Sequence, residues 1–137
     1  MKVAAEDEVL LERRYYGDDA GVTDPQDQNL RGRLIAQYDG AGQAKLGPYD
    51  FKGNLLASSR QLWSDWTVTP DYTPISAEDS AADAETTISS SLTGETFIES
   101  RTFDALNRPK SITAPDASEY IPTYNEASLL EAVHVKI

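Results

Sequence analysis

The stretch YDFKGNLLASSRQL, residues 49–62, decides how the rest of the chain is read. An aromatic residue and an aspartate, Tyr49 and Asp50, stand ahead of Gly53, and a run of apolar and polar residues follows from Leu55. The physical reading is a hairpin. Tyr49 ends a strand and packs on the sheet, where its ring is the largest apolar group of the unit. Asp50 bonds the backbone amides of the turn ahead of it, as in an Asx-turn. Gly53 takes the positive φ that a tight turn demands, and Leu55 and Leu56 open the return strand.

Three further stretches share this frame: YDGAGQA from Tyr38, FDALNRP from Phe103 and YNEASLL from Tyr124. In each, an aromatic residue precedes a small or turn-forming one by four places, at Gly42, Asn107 and Ser128 as at Gly53. The second position is Asp39, Asp104 or Asn125, matching Asp50. A turn frame used four times points to construction, not to a catalytic centre.

The frame resembles the tyrosine-aspartate (YD) repeat of the RHS proteins. The segments NLRGRL, YDFKGNLL, TFDALNRPKSITAPD and PTYNEASLLE together resemble RHS-repeat segments of insecticidal toxin-complex proteins and related large bacterial toxins, over roughly residues 29–63 and 97–137. The resemblance implies antiparallel β-hairpins laid side by side into a hollow shell, which in full-length relatives encloses a toxic polypeptide. It also implies a secreted or delivered toxin complex. The autoproteolytic aspartates and the variable toxin domain of such proteins have no counterpart in these residues. What remains is a piece of shell.

The chain around these units reads as one domain of 137 residues, large enough to bury roughly two-thirds of its unfolded surface. Residues 1–17 end in EVLLERRYYG, where paired tyrosines and Gly17 favour a strand. Residues 18–29 carry Gly, Pro, Asp and Asn at loop density. Residues 30–62 read as RGRLIAQYD, AKLGPYD and LLASSRQLW strands with glycine-bearing gaps. Residues 64–95, rich in Ser, Thr, Ala and Asp, read as a long polar loop that buries little, with a short helix at SAEDSAADAE. TFIESRTFDA and EAVHVKI return to strand alternation, and LNRP and TAPDASEYIP read as turn material. The fold class is all-β, built of antiparallel hairpins.

Charge narrows the function. Twenty-three acidic against 12 basic side chains give a net charge of -11, which opposes nucleic-acid phosphates and anionic membranes. Arg13, Arg14, Arg31 and Arg33 are the nearest approach to a basic patch. The absence of cysteine excludes disulfides and thiolate metal sites. No apolar run has the ~20 residues of a spanning helix, and acidic residues in MKVAAEDEVLLERR stand where a signal peptide has its apolar centre.

Several residues invite a chemical role. Asp18, Asp19, Asp24, Asp27 and Asn29 gather oxygen ligands, yet without the spacing and distal Glu of an EF-hand loop, so a solvated loop is expected and no metal. His134, the single histidine, lacks partners for a metal site or a G-x-S-x-G nucleophile, so packing on a strand face or exposure is expected. Trp63 and Trp66 either form a sugar-stacking platform with Asp65, or Trp63 ends a strand and caps the core. The expected role is thus structural, without catalysis or cofactor, with a carbohydrate- or cell-surface-binding module as the alternative. Unpaired strand edges favour a homo-oligomer or pairing with further RHS repeats.

Overall fold

The computed structural model describes residues 8–137; residues 1–7, on which the expectation about an export signal partly rests, lie outside the described residues. The described chain forms one antiparallel sheet of eight strands in sequence order. The strands are β1 (Arg13–Tyr16), β2 (Leu34–Asp39), β3 (Gly42–Leu46), β4 (Ala57–Leu62), β5 (Phe97–Phe103), β6 (Pro109–Thr113), β7 (Glu119–Tyr124) and β8 (Leu130–Lys136). This is the all-β hairpin architecture expected from the repeated frame.

One strand falls where turn material was expected. TAPDASEYIP holds only a short turn at 114–118, and EYIP is the start of β7. Pro122 lacks an N–H for the ladder. It is accommodated because β6 pairs with β7 only at Glu119 and Tyr120, whereas β8 pairs with β7 along its whole length.

Register divides the side chains between two faces. Tyr15, Ala36, Lys45, Ser59 and Ile98 form one cross-strand row, and Arg13, Tyr38, Gln43 and Gln61 lie beside it on the same face. On the opposite face, Arg101, Ile112, Tyr120 and Val135 form a row across β5–β8.

Residues 64–95 connect β4 to β5 and pack on the first of these faces, over β1–β3. They hold two short 3-10 turns, Thr73–Ile75 and Ser89–Ser91, and the helix α1 (Ala81–Ile88). Ser80 caps α1 by accepting from the Asp83 amide at 3.1 Å, while its hydroxyl donates to the Asp83 carboxylate at 2.6 Å. Contrary to the expectation of a segment that buries little, Tyr72, Ile75, Ala84, Ile88 and Leu92 are all buried and form the core with Tyr15, Ala36 and Tyr38. The Tyr72 ring packs 5.5 Å from Tyr38 and 5.4 Å from Trp63, and its hydroxyl donates to the carbonyls of Asp39 (2.7 Å) and Gly42 (3.2 Å). A few large residues spaced through polar sequence are enough to cover one face.

Candidate functional site

Successive connections in an antiparallel meander alternate between the two ends of the sheet. The turns that follow Tyr49, Phe103 and Tyr124 therefore share one end, and the turn that follows Tyr38 lies at the other. The four sequence copies are not equivalent.

At the shared end the three turns have one geometry. The residue after the aromatic accepts with its Oδ1 from the amides two and four places on. For Asp50 these are Lys52 (2.9 Å) and Asn54 (2.8 Å), for Asp104 Leu106 (2.9 Å) and Arg108 (3.0 Å), and for Asn125 Ala127 and Leu129 (both 3.0 Å). Gly53, Asn107 and Ser128 all have positive φ, 88°, 62° and 62°. These bonds to the ionised form hold the carboxyls of Asp50 and Asp104 below the ordinary aspartate value. For Asp50 the Asn54 side chain acts first, and for Asp104 the Arg108 amide. Neighbouring turns are also joined. Asn54 Nδ2 donates to Asn107 Oδ1 at 3.0 Å, and Lys52 Nζ donates to the Ala105 carbonyl at 2.6 Å.

The Tyr38 copy is built differently. Asp39 pairs with Gly42 across a two-residue hairpin, and its Oδ1 accepts from Ala41 N at 2.9 Å. Its carboxylate takes a two-pronged ion pair from Arg60, at 2.5 and 3.0 Å. Gly42 opens β3 at φ 129°, and a Cβ there would run into Gln61 O of β4 and Trp63 N just beyond it. Its glycine serves close approach of two strands as well as the bend.

Two features escaped the aromatic-Asp frame. The turn at 114–118 has the backbone bonds of the other three, with Ala117 at φ 67° in the place of the glycine, although Thr113 and Ala114 stand where the aromatic and Asp would be. Asp116 supplies the missing brace by accepting from Ser118 N at 2.9 Å. The second feature is an arginine 16 residues ahead of a tyrosine. Arg33 lies 5.7 Å from the Tyr49 ring and Arg108 4.4 Å from the Tyr124 ring. The tyrosine hydroxyls reach back to the next carbonyl, Tyr49 to Leu34 at 2.6 Å and Tyr124 to Pro109 at 2.9 Å. The shared signals in sequence are Gly32-Arg33 and Asn107-Arg108 at a fixed distance before the tyrosine.

The remaining candidates are scattered. In the acidic loop, Asp18 and Asp19 accept from the amides of Gly32 and Tyr16, and no group of three or more metal-ligating side chains forms among the described residues. His134 is exposed on β8, opposite Ile121. Trp63 is half-buried against Tyr72 and bridges to Leu92, whereas Trp66 is 90% exposed. Both border a shallow groove of about 240 Å³ with Asp65 and Val68.

No family model matches the chain, and no curated protein matches it. Solved structures do. A crystal structure of TcdB2-TccC3 matches with a TM-score of 0.79 and 25% identity over 99% of this chain. A form without the hypervariable C-terminal region matches with 0.76 and 26% over 94%. The Photorhabdus luminescens Tc holotoxin pore carrying a TccC3 mutation matches with 0.79 and 25% over 99%. This chain spans about 6% of the length of each of those chains. Its fold is that of an RHS-repeat segment, similar over nearly its whole length to one short stretch of a toxin-complex protein.

Proposed function

We propose that the chain is a non-catalytic scaffold segment of an RHS-type shell. The observation that carries this reading is the row of three turn units of one geometry at one end of an open antiparallel sheet, the first two joined by hydrogen bonds, together with the similarity to toxin-complex chains. Among the described residues the outermost strands β1 and β8 each pair on one side only, and their free backbone groups suit further strands of the same kind. In isolation those edges join a second copy of this chain. In a full-length relative they join the neighbouring repeats, and the resulting wall encloses a toxic polypeptide. The test is a chimera in which this chain replaces the matching stretch of TcdB2-TccC3, imaged by electron microscopy. A closed hollow shell is expected; an open or collapsed particle would overturn the proposal.

A second reading, surface glycan binding, is favoured by the placement of Trp63 and Trp66 on one groove with the Trp66 ring open to solvent. It predicts a glycan-array signal that Trp66→Ala abolishes, and silence across the array would remove it.

A further inference from the structure

Two arginines stand apart in this acid-rich chain. Arg14, Arg60, Arg101 and Arg108 each pair with a carboxylate, and Arg13 donates to the Glu78 carbonyl. Arg31 and Arg33 have no carboxylate at ion-pair distance among the described residues. Among the described residues Arg31 meets only the Gln26 side chain, at 3.5 Å. Both arginines are exposed and border one groove of about 270 Å³ with Gln26, Asn29, Asp50 and Phe51.

The internal repeat shows what chemistry suits this groove. Arg33 and Arg108 are equivalent: each follows a residue of positive φ, Gly32 at 65° and Asn107 at 62°, and each lies over the ring of a tyrosine 16 residues on. Arg108 is neutralised from four residues back, where the Asp104 carboxylate accepts from its Nε at 2.7 Å. Four residues back from Arg33 stands Asn29, a neutral residue whose Nδ2 donates to the Tyr49 carbonyl at 2.9 Å. One copy of the unit carries its own carboxylate and the other has lost it.

We propose that the groove binds a single carboxylate group carried on an apolar body. Arg33 and Arg31 supply the charge-assisted donors, and the Phe51 ring, 84% exposed, receives the apolar part. Asp50 borders the same groove, but its oxygens are engaged by the amides of Lys52 and Asn54 and by Asn54 Nδ2. Its charge and the net charge of -11 admit one carboxylate and disfavour polyanions. The Lys52 ammonium, held by the Ala105 carbonyl and 5.7 Å from the Phe51 ring centroid, adds positive charge beside the groove.

A small organic acid and an acidic residue of a polypeptide share this chemistry, and a titration followed by NMR separates them. The probes are 3-phenylpropanoate, its neutral amide, and the blocked dipeptide acetyl-Phe-Asp-amide. At least one acid is expected to bind saturably with shifts confined to the groove, and Arg31→Gln to weaken it about tenfold or more. Response to 3-phenylpropanoate alone assigns a small acid, and response to the dipeptide alone assigns a polypeptide. Arg33→Gln also removes the contact with Tyr49, so Arg31→Gln and the neutral amide keep the test independent of folding. Equal binding of acid and amide, no binding of either acid, or affinity unchanged in Arg31→Gln would overturn the proposal.

Discussion

The two halves of this sheet are finished in different ways. Over β1–β3, residues 64–95 lie on the face that carries Tyr15, Ala36 and Tyr38, and together they bury a core of aromatic and aliphatic side chains. Over β5–β8 no helix or 3-10 turn packs among the described residues, and Tyr120, Val133, Val135 and Leu130 remain exposed. A hairpin repeat makes a single layer, and a single layer cannot remove its apolar face from water. The 64–95 segment supplies a second layer for one half only. The other half depends on its ladder, on its turn bonds and on whatever lies beside it.

Substitutions break or sharpen this contrast. Tyr72→Ala removes the ring that ties the 64–95 segment to Tyr38 and Trp63 and should destabilise the covered half by about 3–5 kcal/mol, read as a lower urea midpoint by tryptophan fluorescence. Gly42→Ala forces a Cβ against β4 at a positive φ and should lose roughly 2–3 kcal/mol in the same assay. Ala117→Gly acts in the bare half with the opposite sign. Relief of the left-handed alanine should gain about 1 kcal/mol, seen as a higher melting temperature. Asp104→Asn keeps the turn acceptor and removes the solvent-screened pair with Arg108, so it should have the smallest effect, a barely lowered melting temperature.

The halves also differ in their response to pH. Burial pushes the Tyr38 hydroxyl above the ordinary tyrosine value, and burial followed by the Asp39 charge pushes Tyr72 up to about 12. A raised tyrosine contributes stability that is complete below the unfolded value of 10.0 and lost as pH climbs through the folded one. The alkaline loss should therefore fall on the covered half. Asp50, Asp104 and Asp116 are lowered by hydrogen bonds in their turns. Their contribution is present above the ordinary value of 3.8 and fades as pH falls below it, at both ends of the sheet. Circular dichroism melts from pH 2.5 to 12 check both limbs.

Much of the architecture was legible because a hairpin is a local object. The turn frame at Tyr49, Phe103 and Tyr124 states its own geometry through an acceptor, a residue tolerant of positive φ and an aromatic anchor within five positions. What distance along the chain conceals was not legible. Tyr38 carries the same letters as Tyr49, but its turn lies at the other end of the sheet, where Arg60 and β4 decide the roles of Asp39 and Gly42. The 114–118 turn lost its aromatic and its Asp while keeping its backbone. Residues 64–95 looked too polar to bury, because Tyr72, Ile75, Ala84, Ile88 and Leu92 are thinly spread among Ser, Thr, Asp and Glu. Arg31 and Arg33 stood out as basic residues, but their lack of a carboxylate partner emerges only when Arg33 is set beside Arg108.

The central claim is that this segment carries its own core in one half and relies on neighbouring strands in the other. Hydrogen exchange by mass spectrometry on the isolated chain, at low and at high protein concentration, tests it directly. Amides of β2–β4 should be protected equally at both concentrations, while those of β7 and β8 exchange rapidly when dilute and slow down as copies pair. Uniform protection of all eight strands, independent of concentration, would contradict the account.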